Sequence, residues 1–302
     1  MRWRPAGYAG AMPEPVNLQD RDRVIECLDR AAELLRQSAH RRGCCAHLPA
    51  EGRLLVTGDL HDNPAHLQKI IHAARLDQGD DRHVILQEMI HGERLINGLD
   101  LSHRMLIRAA ELVTRYPRQV HPVLANHELS QMTGRGVSKG AGNSVELFND
   151  GLEYAFSQDW FDVAEAIGRF IAAMPLALRT ERGVFCAHSL PGESAMRAFD
   201  PDILERELTA EDYERDTGSA YLMVWGRRQP ASLINELAER WGVSLFCLGH
   251  QHTESGIEAI APNALILNSD HQAGRVLSVD LSDPPDIETA VLGAMPLSAI
   301  SA

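Results

Sequence analysis

The run Leu54-Leu55-Val56-Thr57 enters Gly58, and just beyond it stand a carboxylate and an imidazole, Asp59 and His61. A short apolar run closed by glycine reads as a buried strand ending in a turn. If the chain stays extended through Leu60, the two polar side chains point the same way. An oxygen and a nitrogen donor side by side suit a first-row divalent cation. Alone, the pair is more simply read as a helix cap followed by a loop histidine. The weight comes from repetition. The strand-like run His83 to Leu86 ends in Gln87-Glu88, and Val120 to Leu124 ends in Ala125-Asn126-His127-Glu128. Val184 to Ala187 ends in His188-Ser189, and Ser244 to Leu248 ends in Gly249-His250-Gln251-His252. Core packing does not explain five strands that each deliver oxygen or imidazole donors past their last apolar residue.

The candidate ligands are Asp59, His61, Glu88, Asn126, His188, His250 and His252. They are too many for one tetrahedral structural zinc. They suit two cations about 3.5–4 Å apart that share a carboxylate, with Glu88 the natural bridge. Such a pair acidifies a water and orients a phosphoryl group. His127, beside Asn126, is then placed to protonate a leaving oxygen as general acid.

Several elements must position these groups. Val24, Leu28, Ala31, Ala32 and Leu35 recur at helical spacing within a helix over Asp20 to His40. Asn63-Pro64 starts a second helix as N-cap and first helical residue. Ser102 starts a third that Pro117 closes. Strands alternate with helices up to Leu124, the pattern of a largely parallel sheet. Helices are expected over Val145 to Phe156, Phe161 to Ala173, Asp200 to Asp216 and Ala231 to Trp241. Leu176 to Arg179 and Val184 to Ala187 read as a hairpin about Glu181-Arg182-Gly183. The tail is strand-rich, through Ile257 to Ile260, Ala264 to Asn268, Arg275 to Leu281 and Glu288 to Leu292. The expected fold is α/β (α+β), a central two-sheet β-sandwich flanked by helices. Residues 1–50 form an N-terminal tail and helix, and 51–295 the catalytic domain.

The 302 residues carry a formal charge of −13 and 44% hydrophobic content. A core is feasible without staples. The acidic balance argues against nucleic acid or an anionic membrane as partner. It leaves room for a small phosphorylated substrate, because bound cations reverse the local field. No run approaches the length of a membrane span, and no signal peptide is readable. The five cysteines show no framework spacing, and Cys44-Cys45 with His47 reads as a loop. A reducing, cytoplasmic setting follows.

Three blocks, Asp59-Leu60-His61, Asn126-His127-Glu128 and Gly249-His250-Gln251-His252, resemble signature blocks of the calcineurin-like metallophosphoesterases in the family's order. Pro175-Leu176-Ala177, Phe185-Cys186-Ala187-His188 and Val224-Trp225-Gly226-Arg227 are similar to segments of its phosphoprotein (Ser/Thr) phosphatase branch. The resemblance implies a phosphoric ester hydrolase with two metal ions (Mn, Fe or Zn) acting on a phosphorylated substrate. It implies that Asp59, His61 and His252 hold one metal, that Asn126, His188 and His250 hold the other, that Glu88 bridges and that His127 donates the proton.

The chain departs from the family at its second block. Gln87-Glu88-Met89-Ile90-His91-Gly92-Glu93 stands where Gly-Asp-x-x-Asp-Arg-Gly is usual. Glu88 lengthens the bridging arm, His91 replaces the aspartate that pairs with the catalytic histidine, and the clamping arginine is missing. Arg227, Arg135 and Lys139 are the substitutes considered for phosphate binding, the last amid Gly134, Gly136, Gly140 and Gly142. Beside a phosphomonoesterase, with phospho-Ser/Thr among its candidate substrates, stand two other readings: a hydrolase of dinucleotide polyphosphates or other small phosphoesters, and a catalytically weakened metal-binding scaffold.

Overall fold

The computed structural model describes residues 15–136, 138–139, 142–260 and 262–301. Most of the expected tail, and Gly140, lie outside them. Two sheets carry the fold. One has five strands in the order Met295–Pro296, Arg275–Asp280, Arg53–Thr57, Arg82–Leu86 and Val120–Pro122. The other has seven, in the order Arg41–Arg42, Cys45–Leu48, Ala177–Thr180, Val184–Ala187, Leu245–Leu248, Ala264–Leu267 and Ile257–Ile260.

Side-chain alternation along each strand divides the apolar residues between two cores. Leu54 and Val56 pack with Leu178, Val184, Cys186, Leu245, Cys247, Leu265 and Leu277 in the layer between the sheets. Their neighbours Leu55, Phe185 and Phe246 face outward into the core shared with the helices. On that side Arg21–Arg36 packs against His103–Arg115 and Trp160–Ile171. The sandwich with outer helices is as the alternation implies.

Strand direction places the site. Arg53–Thr57, Arg82–Leu86 and Val120–Pro122 run parallel, and so do Val184–Ala187, Leu245–Leu248 and Ala264–Leu267 in the other sheet. The carboxyl ends of each set therefore gather on one edge, where ligands of open α/β sheets bind. Gly58 lets the sheets close there: a Cβ on it would lie 1.9 Å from the Leu267 carbonyl oxygen.

Four local readings are corrected. Cys45–Leu48 is a strand rather than a loop, because it pairs in parallel with Ala177–Thr180. The loop expected over His91 to Asp100 contains a hairpin pairing Leu95–Ile96 with Leu99–Asp100. Asp200 to Asp216 holds only the short turns Ile203–Glu205 and Ala210–Tyr213, organised by Arg206 bridging Asp200 and Asp212. Glu288 to Leu292 lies in a helix, Ile287–Gly293, because the Asp286 side chain accepts from Thr289 N and caps it. No helix among the described residues is long and apolar enough to cross a membrane.

Leu265 is fully buried between the sheets. Leu265→Ala is expected to lower unfolding stability in urea by about 2–5 kcal/mol through cavity formation. A loss under about 1 kcal/mol would deny Leu265 a close-packed position between the sheets.

Candidate metal centre

The centre is built from strand ends and the turns after them. Asp59 continues the five-stranded sheet by bridging to Gln87 and, across to the other sheet, to Asn268. The next turn is held by the Glu88 carbonyl, which accepts from Leu60 N at 3.1 Å and His61 N at 2.8 Å. His61, Asp62, Glu88, His91 and His250 all take positive φ, between 40° and 68°. Such left-handed conformations cost about 1–3 kcal/mol each and persist where surrounding contacts over-determine them. Three of them, His61, Glu88 and His250, thereby bring their side chains into shared groups of donors. Gly249 admits the Asp59 carboxylate, since a Cβ on it would sit 2.2 Å from Asp59 Oδ1.

Two groups of metal-capable side chains result: His61, Glu88 and His127; and Glu88, His188 and His250. Glu88 belongs to both. Its Oε2 lies 3.3 Å from His61 Nε2 and 3.7 Å from His188 Nε2, and its Oε1 lies 3.6 Å from His127 Nε2. The second group gains Asn126, whose Oδ1 lies 2.6 Å from His188 Nε2 and 3.1 Å from His250 Nδ1. The two ring nitrogens are 3.1 Å apart. Donors about 2.1 Å from one ion and at right angles about it stand about 3 Å apart, so these three atoms fit a shared cation.

Outer contacts fix the rings. Gln87 Nε2 donates to the Thr57 carbonyl at 2.7 Å, leaving its Oε1 to accept from His188 Nδ1 at 3.2 Å. The lone pair of His188 then sits on Nε2, facing Asn126 and Glu88. The Ile90 carbonyl, 3.3 Å from His61 Nδ1, does the same for His61 Nε2. Ligating histidines are commonly oriented through their other nitrogen in this way. Glu128 Oε1 accepts from Met89 N at 2.7 Å and steadies the Glu88 turn.

Burial pushes the Asp59 carboxyl well up, and the nearby Glu88 carboxylate adds to the shift. Burial raises Glu88 to about 8 against a hydrogen bond with Asp59, and Glu128 to about 7. Desolvation drives the imidazoles the other way: His188 falls far below its usual range and His250 to about 3. Protonated acids beside neutral imidazoles are what a buried cation site looks like before the cation replaces the protons.

The structure thus brings together Asp59, His61, Glu88, Asn126, His127, His188 and His250. His252 stands apart from both groups, exposed, with its ring 5.1 Å from His271. Arg227 is exposed at the rim, its Nε donating to His250 Nε2 at 2.9 Å. Arg135 is spent in an exposed ion pair with Glu214. Lys139 falls in the short strand Ser138–Lys139, and its side chain lies outside what is described. Sequence reasoning gave no part to Gln87, Glu128 or Asp62. Gln87 and Asp62 adjoin predicted ligands and Glu128 adjoins the predicted proton donor, and the signal was that a buried ligand requires a partner for its other polar atom.

Fold and site fit a metal-dependent phosphoesterase. Residues 52–254 match the model of the calcineurin-like phosphoesterases, and the chain belongs to that family. A protein serine/threonine phosphatase from Saccharomyces cerevisiae superposes with a TM-score of 0.65 at 14% identity, covering 86% of this chain and 83% of that one. A cold-active protein-tyrosine phosphatase of a psychrophilic Shewanella species gives 0.57 at 10% identity, covering 83% and 80%. At these identities the likeness concerns the fold. No curated protein sequence matches the chain.

The raised Glu88 acid gives a pH prediction. In the metal-free protein the folded state holds a proton that the unfolded chain releases between pH 4.5 and about 8. That contribution to stability is lost as pH rises through this window. A cation takes the proton's place, so the gain in Tm from saturating Mn²⁺ is expected to be larger at pH 8 than at pH 6. An equal gain at both would contradict the assignment of Glu88 as ligand.

Proposed function

We propose that this chain is a two-metal phosphomonoesterase, with phospho-Ser/Thr side chains as the leading substrate class. The observation that carries the reading is buried Glu88 shared between two triads of donors, one of them buried throughout. One triad supplies His61 and Glu88, with Asp59 close by, and the other adds Asn126, His188 and His250. When bound, the two cations supply positive charge to the phosphoryl oxygens and acidify water. Mn, Fe and Zn all suit this mixture of imidazole, amide and carboxylate donors.

The protein's own groups do the rest. The helix Asn126–Thr133 starts at the site, so Asn126 and His127 emerge together from its first turn. His127 Nε2 faces the centre beside Glu88 and holds the proton for the leaving oxygen. Arg227 is the cation nearest the second group among the substrate-binding candidates. Its bond to His250 requires the His250 proton on Nδ1, the atom that a cation would claim. A cation held at His250 Nδ1 would leave the proton on Nε2, which would then no longer accept from Arg227, and the guanidinium would be available to a phosphate oxygen. Five free, buried cysteines support the cytoplasmic assignment.

Hydrolysis of phenyl phosphate with added Mn²⁺ tests the reading. His127→Ala is expected to lose about 10²–10⁴ in kcat with Mn²⁺ still bound. Asp59→Ala is expected to lose the metal, and Arg227→Ala to raise KM. Wild type that binds two ions yet turns over no phosphoester would instead mark a binding scaffold. Turnover undiminished in His127→Ala would remove the general acid. A panel of phosphopeptides, nucleotides and dinucleotide polyphosphates then ranks the substrates.

A further inference from the structure

The family's usual aspartate partner for the catalytic histidine is absent here, and His91 occupies its position in the sequence. The structure shows what stands behind His91. Its Nδ1 lies 2.8 Å from Asp100 Oδ2, with both side chains buried. Asp100 is itself held, its Oδ1 accepting from Ser102 N at 2.8 Å, while His91 N donates to Ser102 Oγ at 3.1 Å. On its other side the His91 ring meets His127, with centroids 5.3 Å apart and planes tilted by 54°. Phe148 packs edge-on against His91 at 5.4 Å and limits its rotation. Burial alone would raise the Asp100 carboxyl, but the bonds from His91 and Ser102 hold it below its ordinary value.

We propose that Asp100 and His91 form a positioning dyad for His127, replacing a direct carboxylate contact by a carboxylate acting through an imidazole. This rests on the phosphoesterase reading above. A carboxylate only accepts, so the proton between Asp100 and His91 belongs to His91 Nδ1. A neutral His91 then has its acceptor at Nε2. His127 directs Nε2 toward Glu88 and the metal centre. The His91 and His127 rings lie against each other, and closing of the two would bring the His127 Nδ1–H onto His91 Nε2. That bond would fix the orientation of His127 and keep its Nε2 directed at the leaving oxygen. No covalent bond changes in Asp100 or His91.

The dyad is supplied by the hairpin within residues 91–100. The hairpin of Leu95–Ile96 with Leu99–Asp100 returns the chain so that Asp100 faces His91 nine residues earlier. Arg94, at the hairpin base, pairs with the buried Asp62 at 2.7 Å and ties the hairpin to the turn after Asp59.

The test uses aryl phosphates graded by leaving group, with Mn²⁺, from 2,4-dinitrophenyl phosphate to phenyl phosphate. The first needs no proton on departure and the second does. Asp100→Asn and His91→Phe are expected to lose about tenfold or more in kcat on phenyl phosphate but under about twofold on the dinitrophenyl ester, with KM unchanged. His91→Asn, which keeps one donor and one acceptor, is expected to recover part of the loss. Added to His127→Ala, Asp100→Asn is expected to cost nothing further. Equal losses on both esters, or full additivity with His127→Ala, would overturn the dyad. So would loss of bound Mn²⁺ in Asp100→Asn, measured by mass spectrometry, which would make it a support of the metal centre. Wild type without turnover would sink the phosphoesterase reading and the dyad with it, whereas turnover with equal losses sinks the dyad alone.

Discussion

Two carboxyls, Asp59 and Glu88, are buried side by side with a third, Glu128, behind them. Isolated buried charges of like sign are costly, and in practice such groups hold protons instead. Among the described residues no Lys or Arg is buried among them to offset the charge, and burial lowers the basicity of His188 and His250. The cluster becomes favourable once divalent cations enter, because each cation replaces protons and satisfies several donors together. The structure around the cluster can be understood as what is required to hold that many acids and imidazoles in one place.

The sandwich meets this requirement through direction and closeness. Parallel strands from both sheets end on the same edge, so each ligand is set by a rigid strand with only its turn left to choose. Gly58 and Gly249 leave room for backbone and carboxylate where any side chain would collide. The left-handed residues after the strands aim ligands inward at a local conformational cost. Gln87, Glu128 and the Ile90 carbonyl then hold the aimed groups still. Arg227 bonds to His250 at the rim, and the His91–Asp100 pair lies against the His127 ring.

Much of this was legible in the sequence because its signals are local and periodic. Apolar runs of four or five ending in Asp, Glu, Asn or His marked the strand ends, and the split of Leu54 and Val56 from Leu55 follows from period-two alternation. What escaped depended on distant partners. Cys45–Leu48 has no strand signature of its own, and pairing with residues more than a hundred positions away makes it one. The acidic stretch after Asp200 has helical composition, but Arg206 draws Asp200 and Asp212 together and holds it as turns. Asp100 carried no motif, and its relation to His91 exists only after the hairpin folds back. Gly-His-x-His suggested that His250 and His252 act together, yet the left-handed turn at His250 sends the two side chains apart.

The most direct test of the central claim is anomalous diffraction from crystals of the wild-type protein grown with Mn²⁺. The account predicts two peaks about 3.5–4 Å apart on either side of the Glu88 carboxylate, one toward His61 and the other amid Asn126, His188 and His250. A single peak, or ions bound away from Glu88, would contradict it.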